Sequence, residues 1–117
     1  MEEKILDYVK ERCGISTNPE DDVDVFDTEL IQEISLSLSI VQQLGGIDNP
    51  IPDITTDTTW DELIFKEVMD KNLVKNYVAM KVKHQMFDVS GSKYVSSMAE
   101  KIIADTEYRI TLLAIQN

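Results

Sequence analysis

Apolar side chains recur at three- and four-residue intervals through most of this chain, and no stretch alternates apolar and polar long enough to build a sheet. Ile5, Val9 and Cys13 repeat every four residues with Leu6 and Tyr8 beside them, which predicts a first helix over residues 2–13 stopped by Gly14. Glu2 and Glu3 then suit the positive end of its dipole. Residues 15–26, ISTNPEDDVDVF, read as a loop, because Asn18-Pro19 breaks a helix and the acids that follow cannot pack. A second helix begins at Asp27 or Thr28, either of which can cap the exposed N–H groups, and ends at Gly45-Gly46. Its stripe of Leu30, Ile31, Ile34, Leu38 and Val41, flanked by Leu36, Ile40 and Leu44, is wide enough to be touched on more than one side.

Residues 47–58 hold two prolines and four Asp or Asn residues and cannot be helical, yet Ile47, Ile51 and Ile54 would tether them across the core, with room for a short extended pairing. Thr59-Trp60-Asp61-Glu62 has the form of a capping box and predicts a short helix over residues 59–69. A third helix is expected over residues 72–87. Leu73, Tyr77, Met80, His84 and Phe87 form one stripe, Val74, Val78, Val82 and Met86 lie beside it, and Lys71, Lys75, Lys81 and Lys83 fill the remaining face. After a break at residues 87–92, a fourth helix follows Ser92 as its cap and runs to residue 115, with Val95, Met98, Ala99, Ile102, Ile103, Ile110 and Leu113 at helical spacing. At about 1.5 Å per residue it would be roughly 34 Å long. The third helix is shorter, so the end of the fourth should overhang as an exposed apolar arm, residues 110–115, suited to another subunit. The expected architecture is all-α: one domain, residues 1–117, a small bundle of about four to five helices with a long C-terminal helical hairpin.

Composition narrows the function classes. With 43% apolar residues in 117, the chain can build a core without staples, and a single cysteine allows no intrachain disulfide. Cys13 reads as a small half-buried residue closing the first helix. The charged N-terminus MEEKILDYVK does not resemble a signal peptide and no apolar run approaches membrane-spanning length, so no membrane partner is expected. Charge is unevenly spread. Residues 1–30 hold ten acids against three bases (−7), residues 31–70 eight against one (−7), and residues 71–117 four against seven (+3). The net −11 disfavours non-specific DNA binding, while the basic C-terminal part either faces an acidic partner or is a solvated helix face.

No pattern supports catalysis or a cofactor. Asp22, Asp24 and Glu33 imitate the first, third and twelfth positions of a calcium loop, but Phe26 and Asp27 occupy the positions that need an oxygen ligand and a glycine. His84, the one histidine, sits on an apolar stripe with only Met80 and Asp88 at helical reach, which suits a core-edge residue better than a base or zinc ligand. A helix-turn-helix reading would need base-reading residues and a basic surface, and the only arginines are Arg12 and Arg109. Trp60 is read as core beneath the 47–54 loop in preference to an interface anchor. An enzyme is not expected.

Over about residues 60–110 the chain resembles the phage head–tail connector (adaptor) family. The residues that carry the likeness are Trp60-Asp61-Glu62-Leu63, Leu73-Val74-Lys75-x-Tyr77-Val78, Lys81-Val82-Lys83, Phe87-Asp88 and the long helix up to Arg109. The family often has prolines after its Phe-Asp, where this chain has Val89-Ser90-Gly91-Ser92. The resemblance implies a non-catalytic virion protein, made in the bacterial host cytoplasm, that forms a ring, a dodecamer in this family, under the portal protein. Such a ring extends the DNA channel and presents a platform to a stopper or tail-completion protein. DNA would pass without specific binding beside surface acids such as Asp21, Asp22 and Asp24. Leu73, Tyr77, Val78, Val82, Phe87 and Asp88 would be the hairpin's packing motif, and Arg109, Ile110, Leu112, Leu113 and Ile115 the contact with portal or a neighbouring copy. The rival reading is a small helical regulatory or interaction protein of phage or host, monomeric or dimeric and without affinity for portal.

Overall fold

A computed structural model of the chain describes residues 3–14, 27–87 and 93–115. Among these the elements are α1 (Ile5–Arg12), α2 (Asp27–Gln43), a single 3-10 turn (Trp60–Glu62), α3 (Lys71–Phe87) and α4 (Lys93–Ala114), and no strand is present. The fold is the expected all-α bundle, with α3 at its centre packed against α1, α2 and α4.

The buried positions on α3 explain that arrangement. Val74, Tyr77, Val78 and Val82 are wholly enclosed and Ala79 nearly so, a set that spans more than one helix face. The stripe is thus centred on the valines, and Leu73, Met80 and Met86 lie at its half-buried margins. α2 supplies Leu30, Ile34, Leu38 and Val41, and α1 supplies Ile5, Leu6 and Val9. The wide α2 face is narrower than its sequence suggests, since Leu36 is 59% exposed. α1 and α2 are further tied by Lys10 and Asp27, 2.7 Å apart and both largely enclosed.

Two segments differ from the sequence reading. The helix predicted over residues 59–69 is one 3-10 turn, after which Leu63 is extended (ψ 139°). The capping box forms in both directions, Glu62 Oε2 accepting the Thr59 N–H at 2.9 Å and the Thr59 side chain the Glu62 N–H, but the chain then pairs outward and does not continue helically. Ile64 N–H donates to Asn49 Oδ1, Ile64 O accepts from Asp48 N–H, and Lys66 N–H donates to Gly46 O. These bonds build the short pairing anticipated near residue 47, an Ile47–Phe65 bridge, and they use the backbone groups a helix would need. Likewise α1 starts at Ile5, because residues 3–5 bond to residues 58 and 60 in an extended bridge, Lys4 to Thr59. The tethered loop is as expected, with Ile47 and Ile54 buried and Ile51 packed on the core. Trp60 is buried, edge-on to Tyr8 at 5.6 Å, and Cys13 is half-buried as the cap of α1.

The third difference concerns the end of α4. α3 and α4 have 17 and 22 residues, so one does outrun the other, but the excess is docked. Gly45, in the left-handed region (φ 95°), closes α2 with bonds from Gly45 N–H to Gln42 O and from Gly46 N–H to Val41 O. The last turns of α4 lie on this glycine pair. A Cβ at Gly46 would stand 2.8 Å from Val41 Cγ1 and 3.3 Å from Ile110 Cγ2, and one at Gly45 would meet the Ala114 Cβ at 3.0 Å. Lys66 Nζ also donates to Ala114 O at 2.9 Å, satisfying a carbonyl at the negative end of the helix. Ile110 is therefore buried in the core of the chain, not exposed on an overhanging arm. The cap residue Ser92, the Phe87 side chain, Asp88, and the acidic loop with Asp21, Asp22 and Asp24 lie outside the described residues.

Truncating Ile110 and Ile115 separates these roles. Ile110→Ala should cost the isolated protein about 2–5 kcal/mol in urea unfolding, the usual loss for a large aliphatic side chain from a closed core. Ile115→Ala, on an exposed side chain, should change stability by less than about 0.5 kcal/mol.

Candidate partner-binding surface

Polar contacts fix the α3–α4 hairpin on one side and leave a cleft on the other. The Tyr77 hydroxyl donates to Glu107 Oε2 at 2.7 Å, with Lys81 Nζ 4.0 Å from the same carboxylate oxygen. Nearer the hairpin turn, His84 Nε2 lies 3.6 Å from Glu100 Oε1. His84 is thus the core-edge residue its stripe suggested, though its acid comes from the facing helix. Burial first, then the hydrogen bond to Glu107 and that residue's negative charge, hold the Tyr77 phenol well above the ordinary tyrosine range.

Among the described residues, several cations of the C-terminal half are engaged within the molecule. Lys75 pairs with Glu3 at 2.8 Å and stands over the rings of Tyr8 and Trp60 at 4.9 and 5.6 Å. Lys71 lies over Phe65, and Lys66 caps α4. Glu3 therefore serves as Lys75's partner from in front of α1 instead of standing inside its first turn.

Leu73, Asn76, Ala79, Met80 and Lys83 of α3, Thr106 of α4 and Arg12 from the end of α1 line a cleft of about 420 Å³. A second one of about 320 Å³, lined by Asp70, Leu73, Arg109, Leu112 and Leu113, adjoins it at Leu73. Arg12 is held at the rim by Tyr8, its guanidinium 4.5 Å from the ring centroid and Nη2 3.3 Å from the hydroxyl, while Tyr8 donates to Asn76 Oδ1 at 2.7 Å. Arg109 pairs with Asp105 one turn earlier at 3.2 Å and stays exposed.

Of the residues named from sequence as a contact surface, Arg109, Leu112 and Leu113 thus line one cleft. Leu112 is 37% exposed and Ile115 71%, while Ile110 is turned into the core. Tyr77, Val78 and Val82 are fully buried on α3, and Leu73 stands where the two clefts meet. Arg12, Asn76, Met80, Lys83 and Thr106 were not singled out. The 73, 76, 80, 83 spacing was a usable signal for one wall, but Thr106 and Arg12 reach it only through the fold. Among the described residues no group of three or more His, Cys, Asp or Glu could hold a metal ion, and no helix is long and apolar enough to cross a membrane.

A small helical protein with exposed apolar side chains along one long helix and clefts beside it offers surfaces for contact. The family model for phage connector proteins matches residues 5–116, and the chain belongs to that family. It is accordingly a structural phage protein of the virion that works with other head and tail proteins. No curated protein and no solved structure matches it.

The Tyr77–Glu107 bond has a spectroscopic signature. Because folding raises the Tyr77 pKa, the neutral phenol's contribution to stability is complete below about 10 and is lost as pH climbs above that value. In an absorbance titration, one of the four tyrosines should ionise after the others, and Tyr77→Phe should remove that late step.

Proposed function

We propose that the protein is an adaptor-ring subunit that binds the portal at the capsid vertex, extends the DNA channel and joins head to tail. Copies of the chain form a ring, a dodecamer, with a stopper or tail-completion protein below it. The observation that carries the reading is the family match over nearly the whole chain, combined with an end of α4 on which Arg109, Leu112 and Ile115 are all exposed. Isolated exposed apolar residues are ordinary, but a set grouped beside a cleft has more to gain against a partner than in water. One such contact per subunit is weak. Repeated around a ring, it becomes tight through effective concentration. The portal contact is assigned to Arg109, Leu112, Leu113 and Ile115.

The acidic part of the chain, including Asp21, Asp22 and Asp24, is assigned to the channel side. Like charge repels the phosphate backbone and lets DNA pass without adhering, whereas a basic lining would hold it.

Co-expression with the portal protein followed by negative-stain imaging tests this reading, the expected result being rings of this chain seated on portal. Leu112→Glu/Ile115→Glu should weaken attachment at least tenfold with unchanged helicity, since both side chains are already exposed. A free monomer that never binds portal would instead mark a small helical interaction protein of another kind.

A further inference from the structure

The two clefts beside α3 form a longer groove than the α4 end alone. Leu73, Asn76, Met80 and Lys83 recur along one wall, and Thr106, Arg109 and Leu113 along the other. From Leu73 to Lys83 α3 rises about 15 Å, roughly three turns of helix. Met98 and Ile102, both exposed, continue the α4 side at the same helical spacing as Thr106.

The ends of this groove differ in charge. At one end Arg109 is balanced by Asp105, with Asp70 also in the lining. At the other, Arg12 and Lys83 are both exposed, and neither pairs with a carboxylate among the described residues. Lys10, Lys75 and Lys81, by contrast, each face an acid within the molecule. An apolar trough with two unbalanced cations at one end selects for matching chemistry in its occupant.

We infer that the groove receives an amphipathic helical segment of the partner protein, apolar where it faces α3 and α4 and carrying carboxylates at the end that lies between Arg12 and Lys83. The inference rests on the portal-adaptor reading and specifies the chemistry of the segment that adaptor grips. A helix fits because both walls are helices whose backbone groups are already bonded. An extended segment would leave its own N–H and C=O groups without partners there, whereas a helix satisfies them internally. A nucleic acid does not fit an apolar floor on a chain of net charge −11.

A photo-crosslinking amino acid placed at position 80 on the groove wall, and separately at position 115, tests this in the assembled complex with full-length portal. The adduct from position 80 should map to a portal segment with apolar residues three and four apart and Asp or Glu within a turn of them. Arg12→Glu/Lys83→Glu should lower portal affinity tenfold or more, with the larger loss at low salt. Lys83→Glu alone should do so severalfold, which keeps the test intact if loss of Arg12 from the Tyr8 ring weakens folding. An adduct on a second copy of this chain, on its own residues, or on a basic segment overturns the inference. So does crosslinking from position 115 without any from position 80, and in that case the adaptor reading survives. Wild-type protein that binds no portal removes the adaptor reading and the inference together.

Discussion

The enclosure of α3 on several sides is the constraint from which the rest of the structure follows. A helix that buries Val74, Tyr77, Val78 and Val82 completely cannot be covered by one neighbour, so α1, α2 and α4 each contribute an apolar stripe to it. Each such side chain is worth about 1.5–3 kcal/mol when removed from water. Tyr77 adds specificity to that bulk effect. Its hydroxyl must be hydrogen-bonded when buried, and Glu107 supplies the acceptor from α4. That bond sets the axial register of the hairpin. The register in turn delivers Ile110 and Ala114 onto Gly45-Gly46, where the missing side chains permit a close approach.

The same packing redistributes charge. A chain with acidic N-terminal regions and a basic C-terminal part could present its cations to a partner, yet Lys66, Lys75 and Lys81 are bound to a helix-end carbonyl or to carboxylates of the same molecule. Lys10 and Asp27 join α1 to α2 almost out of solvent, an arrangement in which losing either partner strands a charge. Among the described residues, the outside includes a row of apolar side chains on α4, the clefts beside α3 with a few cations at their rims, and Leu36, Ile64 and Val68 elsewhere on the surface. For a protein that works with other head and tail proteins, many modest contacts acting together bind firmly.

The sequence by itself determined the helical class, the number and approximate bounds of the long helices, the tethered loop and the glycine-terminated α2. Each of these depends on local spacing, on proline and glycine backbone limits, or on capping, all of which act over a few residues. The family likeness was readable for the same reason, since its motif is the packing stripe of α3 and its hairpin. Only the tertiary structure decided that residues 63–69 leave the helical path, because their hydrogen-bond partners at residues 46, 48 and 49 are distant in sequence. Only it decided which of Ile110, Leu112 and Ile115 face outward. Their helical spacing is equally compatible with either orientation, and the choice depends on the Gly45-Gly46 turn and the Tyr77–Glu107 register. The groove itself is of this kind: Arg12, Lys83 and Thr106 line one cleft only after three helices are packed, a relation between surfaces that no periodicity within one helix encodes.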